Sequence, residues 1–187
     1  MFKLRSNQIE PVRLGVDFLK STVKNSRRPI IVAPTGFGKS ILIAAIANEI
    51  PNPILILQPN KELLIQNYQK YIAFGNEASI CSASLKSREI GHVTFATPGS
   101  IKNNVQEFKA RGVVVIIDEC DRANPSGGVL HTFLKQLGST KILGLTATPI
   151  MLLQQIDGGV LKMLNRTRSS FWNEILHVTQ IKDIIED

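Results

Sequence analysis

The chain has 187 residues, 43% of them hydrophobic, and a formal net charge of +7. This is enough chain to bury roughly 70% of its unfolded surface without a covalent staple, and two cysteines, Cys81 and Cys120, exclude a disulfide-stapled secreted scaffold. No apolar run has the length of a membrane span, the start lacks a signal-peptide core, and the basic excess permits a polyanion partner without demonstrating one. A reducing compartment such as the cytoplasm follows as the expectation, with no membrane partner.

The elements expected in chain order begin with a helix over 9–25, where Val12, Val16, Leu19 and Val23 share a face. Arg28-Pro29 closes that region, and a short apolar strand follows over 29–33. Residues 40–50 predict a helix apolar on nearly every side, hence buried. A strand over 53–58, a helix over 61–74 and strands over 78–81 and 92–96 come next. Residues 98–110 predict an amphipathic helix, and 112–117 an entirely apolar strand. A helix over 126–137 places Val129, Leu130, Phe133, Leu134 and Leu137 inward, and a strand over 141–145 completes the series. Tyr68, Tyr71 and Phe74, at helical spacing, belong to the core rather than to a base-stacking platform.

Strands alternate with helices, and apolar runs such as 113–117 suit strands covered on both faces. The expected fold class is α/β, a mostly parallel sheet with helices on both faces. Ligands of such sheets bind beyond the carboxyl ends of the strands. The loops after Ala33, Gln58, Ala96, Ile117 and Leu145 are therefore expected at one edge.

The first of these loops is Ala33-Pro34-Thr35-Gly36-Phe37-Gly38-Lys39-Ser40, between a strand and a helix. Backbone N–H groups curled around an anion at a helix start bind phosphate, and Gly36 and Gly38 permit the curl. Lys39 can reach the β- and γ-phosphates and the Ser40 hydroxyl can ligate Mg²⁺. The general phosphate-loop pattern has Gly where this chain has Ala33. Phe37 is expected to be exposed.

The second site is Asp118-Glu119-Cys120-Asp121, at the end of the apolar strand. Adjacent carboxylates there are costly unless they meet a cation or water. Asp118 suits a nucleotide-bound Mg²⁺, Glu119 suits activation of water, and Asp121 suits a link to neighbouring segments. A solvated acidic turn is the alternative. Cys120 is incidental to this chemistry, and neither the cysteines nor His92, His131 and His177 have zinc-site spacing.

Residues 33–40, 118–121 and Thr146-Ala147-Thr148-Pro149 together resemble motifs I, II and III of superfamily 2 helicases and translocases of the DEAD/DEAH type. Leu4-Arg5-Ser6-Asn7-Gln8 resembles the element ahead of motif I whose Gln reads adenine; a surface Gln is the alternative for Gln8. Leu57-Gln58-Pro59-Asn60-Lys61-Glu62-Leu63 resembles motif Ia, and Phe95-Ala96-Thr97-Pro98-Gly99-Ser100 resembles motif Ib. The resemblance spans residues 4–149 and is closer to double-strand-DNA translocases and restriction- or phage-type helicases than to RNA DEAD-box proteins.

It implies a RecA-like ATP-binding domain over 1–149 with ATP and Mg²⁺ as cofactors. Lys39, Asp118 and Glu119 would be catalytic, with Arg5, Gln8 and Pro34 through Ser40 on the nucleotide. Asp121, Thr146 and Thr148 would couple the two ligands. Pro59, Asn60, Lys61, Thr97, Pro98, Gly99, Ser100 and Lys102 would lie along a nucleic-acid backbone, DNA favoured over RNA; helix caps and surface lysines are the alternatives.

The family's second motor domain, with its Gln-x-x-Gly-Arg-x-x-Arg element and arginine finger, has no counterpart after residue 149. The expectation is an N-terminal motor domain of a longer protein, monomeric and poorly active alone, with 150–187 leading toward the other half. Phe171, Trp172, Ile175, Leu176 and Val178 offer an apolar surface for the sheet or for that second domain, while Arg166 and Arg168 are expected at the surface. The rival functions are a phosphate-loop ATPase that moves something other than nucleic acid, and a non-catalytic module that senses nucleotide or docks a partner.

Overall fold

The computed structural model describes residues 3–23, 26–122, 127–155, 158–165 and 171–180. Ser126, Arg166, Arg168 and 184–187 lie outside the described residues. The order of elements is α1 (Ser6–Lys20), β1 (Pro29–Val32), α2 (Lys39–Glu49), β2 (Ile54–Leu57), α3 (Lys61–Ala73), β3 (Ser79–Ser82), β4 (Ser87–Arg88) and β5 (Val93–Ala96). Then come α4 (Pro98–Ile101), α5 (Val105–Ala110), β6 (Val114–Ile117), α6 (Gly128–Leu137), β7 (Ile142–Thr146), β8 (Ile150–Gln155), β9 (Gly158–Met163) and β10 (Glu174–Val178).

Eight strands form one sheet in the order β10-β1-β7-β6-β2-β5-β3-β4, parallel throughout except for the β3–β4 pair. The strand faces alternate. Ile31, Ile56, Val114 and Ile116 pack with the buried residues of α1, α2 and α3 on one side. Ile30, Leu55, Val115 and Ile117 pack with Ile101, Phe108 and the inner face of α6 on the other. This is the expected α/β layering, in which every residue of the central strands is buried. Tyr71 is buried and meets Phe95 edge-on, so the aromatic stripe of α3 serves the core.

Four local expectations give way to the structure. The first helix stops at Lys20, and the Ser21 hydroxyl accepts from Val23 N, a local bond that competes with helix; Val23 stands exposed. The helix over 98–110 is two pieces, divided at Asn103-Asn104, where Asn104 takes φ −111° and ψ 10°. Val129 faces outward, 45% exposed, because the inner face of α6 is filled by Leu130, Phe133, Leu134 and Leu137. Phe37 is fully buried rather than exposed: its ring sits in the core with Leu42 and Leu64.

Beyond residue 149 the chain forms an antiparallel β8–β9 hairpin and then returns to the main sheet as β10, parallel to β1. Trp172 is buried there and anchors the return. Arg27 clasps Glu174 through two 2.6 Å hydrogen bonds, and Thr179 N donates to Val32 O at 2.9 Å. Among the described residues no helix is long and apolar enough to cross a membrane.

Candidate nucleotide and nucleic-acid site

The loop after β1 curls back on itself: Phe37 N donates to Pro34 O at 3.1 Å, and Gly36 and Gly38 take φ +86° and +95°. Only glycine adopts these angles without strain. A Cβ on Gly38 would also stand 2.9 Å from Gln8 Nε2. The buried Gln8 side chain braces the loop. Its Nε2 donates to Phe37 O at 2.6 Å, and its Oε1 accepts from Arg5 N at 3.0 Å. The buried Phe37 ring and the Gln8 amide thus fix the loop from inside, while Thr35 and Gly36 face solvent. Gly38 caps α2, so Lys39 and Ser40 occupy its first turn, where N–H groups have no intrahelical acceptor.

β1 and β6 are separated in the sheet by β7. Lys39 bridges that gap: its Nζ lies 3.2 Å from Glu119 Oε1. Glu119 takes φ +47°, a turn that begins directly after the buried strand and whose N–H donates to Asp118 Oδ1 at 3.0 Å. Asp118 is only 4% exposed. Burial pushes its pKa up to about 6, the neighbouring Glu119 charge adds to the rise, and Lys39 opposes it.

Ser40 and Asp118 are joined through a residue the sequence did not single out. Ser40 Oγ donates to Asn67 Oδ1 at 2.7 Å, and Asn67 Nδ2 donates to Asp118 Oδ2 at 3.0 Å and to Gln58 Oε1 at 3.1 Å. The available signal was an Asn on the buried stripe of α3, between Leu64 and Tyr71. The Ser40 hydroxyl and the buried Asp118 carboxylate are oxygen donors that would suit a hydrated Mg²⁺ completed by phosphate oxygens. Among the described residues no group of three His, Cys, Asp or Glu could hold a metal alone.

Asp121 gathers the segment after β7. Its Oδ1 accepts from Thr146 Oγ1 at 2.6 Å and its Oδ2 from Thr148 Oγ1 at 3.0 Å. Cys120 is fully buried, and burial raises its thiol pKa well above the usual value, as befits a packing residue.

β2 and β5 pair with Leu57 opposite Ala96, so the segments that follow them lie side by side. Asn60 caps α3 by accepting from Leu63 N at 2.9 Å. The Thr97 and Ser100 hydroxyls lie 2.9 Å apart, and Ser100 Oγ also accepts from Ala83 N at 3.0 Å. These polar groups have structural partners of their own. Lys61, Gly99 and Lys102 are exposed, whereas Pro59 and Pro98 are half-buried and flank a cavity of about 210 Å³ that reaches Gln58, Asp118 and Arg122. A larger hollow of about 450 Å³, lined by Arg28 and Lys141, lies at the opposite end, where β1 and β7 begin.

The model of the type III restriction enzyme res subunit family matches residues 1–151. An uncharacterised protein of Saccharomyces cerevisiae, YPL245W, is 23% identical over 175 residues, covering 92% of this chain and 37% of that protein. Among solved structures, the UvsW helicase of bacteriophage T4 superposes with a TM-score of 0.61 at 17% identity, over 94% of this chain and 60% of that one. A nuclease-deletion mutant of the type ISP restriction-modification enzyme LlaGI, in complex with a DNA substrate mimic, gives 0.65 at 19% identity, over 99% and 20%. This chain therefore spans less than two thirds of each of these relatives. Carrying the Gly36–Ser40 loop and the acidic Asp118–Glu119 strand end at one edge of a RecA-like parallel sheet, the chain belongs to the type III restriction enzyme res subunit family.

Proposed function

We propose that this chain is the N-terminal motor domain of an ATP-dependent nucleic-acid helicase or translocase, with DNA favoured over RNA. The observation that carries the reading is the 3.2 Å approach of Lys39 to Glu119, beside Ser40 and Asp118 linked through Asn67. In this reading the N–H groups at the start of α2 and Lys39 hold the β- and γ-phosphates. Ser40 and Asp118 hold Mg²⁺, which when bound neutralises phosphate charge. Glu119, released from Lys39 as that lysine turns to phosphate, orients water and accepts its proton. Asp121, Thr146 and Thr148, which join the ends of β6 and β7, would couple this site to a nucleic-acid strand whose backbone would run past Pro59, Lys61, Pro98 and Lys102 without sequence selection. The 187 residues contain no Gln-x-x-Gly-Arg-x-x-Arg element, and slow hydrolysis by the chain alone is the expected outcome.

The test is equilibrium binding. A fluorescent ATP analogue should bind in Mg²⁺, weaken in EDTA, and weaken by about 10–100-fold in Lys39→Ala. A labelled DNA oligonucleotide should bind with an affinity that falls steeply with salt. Unchanged analogue binding in Lys39→Ala would refute the nucleotide site, and salt-insensitive or undetectable oligonucleotide binding would favour an ATPase acting on something else.

A further inference from the structure

We propose that Asn67 is a positioning residue: its amide aligns Ser40 and Asp118 for the metal and couples that site to Gln58 on the nucleic-acid edge. The proposal rests on the functional reading above and adds to it a residue and a route.

Asn67 is 7% exposed and lies on the apolar stripe of α3. A buried amide there is tolerated only if its polar atoms are satisfied. All of them are used, and each partner comes from a different element: Ser40 from α2, Asp118 from the end of β6, Gln58 from the end of β2. The carbonyl oxygen accepts from the Ser40 hydroxyl, which aims the Ser40 lone pairs away from Asn67. One amide hydrogen fixes Asp118 Oδ2, which leaves the other carboxylate oxygen to accept from Glu119 N. The two groups proposed for the metal are thus oriented by a single planar side chain. Such outer partners set ligand geometry and are worth about 10–100-fold in metal affinity.

The second amide hydrogen leads away from the metal. Gln58 Oε1 accepts it, and Gln58 is fully buried. The Gln58 amide favours the ionised form of Asp118, yet its Nε2 forms no completed hydrogen bond among the described residues. Gln58 is among the residues that line the cavity between Pro59 and Pro98, and its buried Nε2 is the donor left for a ligand that enters there. With a cation on Ser40 its hydroxyl would donate more strongly to Asn67, which would polarise the amide and strengthen its bonds to Asp118 and Gln58. A ligand engaging Gln58 from the cavity acts back along the same bonds, as linkage requires.

The experiment uses the 187-residue chain and two near-isosteric variants, Asn67→Leu and Gln58→Leu. Binding of a fluorescent ADP analogue is measured in Mg²⁺ and in EDTA, and binding of a labelled DNA oligonucleotide with and without a non-hydrolysable ATP analogue. Asn67→Leu should weaken the Mg²⁺ value by about tenfold or more and leave the EDTA value within about twofold. Gln58→Leu should weaken the Mg²⁺ value less than Asn67→Leu does and lose the effect of the ATP analogue on the oligonucleotide; an undiminished effect overturns the route through Gln58. A third readout needs no variant: the side-chain amide resonances of Asn67 in asparagine-labelled protein should shift with Mg²⁺ and ADP together and stay put with ADP in EDTA. An unmoved resonance, or a Mg²⁺ dependence equal in wild type and Asn67→Leu, overturns the relay while leaving nucleotide binding intact. A wild-type chain that binds no nucleotide under either condition overturns the functional reading and the relay together.

Discussion

Lys39 and Glu119 form an ion pair across the tip of β7, each side chain mostly shielded from solvent. If Lys39 holds phosphate as proposed, Glu119 competes with that phosphate for the lysine. Glu119→Gln removes the competing charge and the proton acceptor at once. It is expected to tighten binding of an ADP analogue by a few-fold, about 1 kcal/mol or less, while lowering any hydrolysis by about 100-fold. Fluorescence titration and a phosphate-release assay check the two arms. Weaker binding in this variant would mean that Glu119 holds Lys39 in place for phosphate instead of competing for it.

Asp118 predicts a pH dependence of the ligand-free fold. Its pKa in the folded chain, about 6, is above the ordinary carboxylate value of about 4. A group raised on folding contributes stability that is complete below the unfolded pKa and fades as pH rises through the folded one. In EDTA, thermal stability should therefore carry a component that declines between about pH 4 and 6, and Asp118→Asn should melt higher than wild type at pH 8. Thermal melts across this range check it; a wild type that outlasts Asp118→Asn at pH 8 would contradict it.

Gly144 lies on β7 where nothing larger fits. A Cβ there would stand 2.8 Å from Cys120 Sγ, 2.9 Å from Trp172 and 3.0 Å from Ile30. Gly144→Ala is expected to cost about 1–3 kcal/mol through overpacking. Pairing it with Cys120→Ala should recover part of that loss, as a double-mutant cycle by denaturant melting would show.

The Arg27–Glu174 clasp holds β10 against the sheet. Its hydrogen bond and charge keep the Glu174 carboxyl below its ordinary value. A carboxylate lowered on folding contributes stability above the unfolded pKa and loses it as pH falls through the folded one. Both side chains are partly exposed, so the pair is worth about 1 kcal/mol at most. Glu174→Gln should speed amide exchange in β10 at pH 7, with a difference from wild type that vanishes below the ordinary carboxylate range. Equal protection of β10 amides at pH 7 would dismiss the clasp.

The sheet was legible because apolar runs such as Val113–Ile117 and the helices between them follow from burial, which sequence encodes directly. The Lys39 and Asp118–Glu119 segments were legible because a parallel sheet sends such loops to one edge. What escaped depends on three-dimensional neighbours. Phe37 reads as a loop residue until the core beneath the loop is seen, and Asn67 reads as one more polar residue of α3 until its three partners assemble. β10 consists of Glu-Ile-Leu-His-Val, which signals little until Trp172 packs and β1 offers its open side.

β10 runs parallel to β1, and Thr179 N bonds to Val32, the residue from which the phosphate loop springs. β10 therefore ends on the side of the sheet where the loop after β1 begins, instead of at the far rim. A mechanical load on the end of β10 would be borne in part by the bond at Val32, so traction there would reach the loop that holds Gly36 and Gly38.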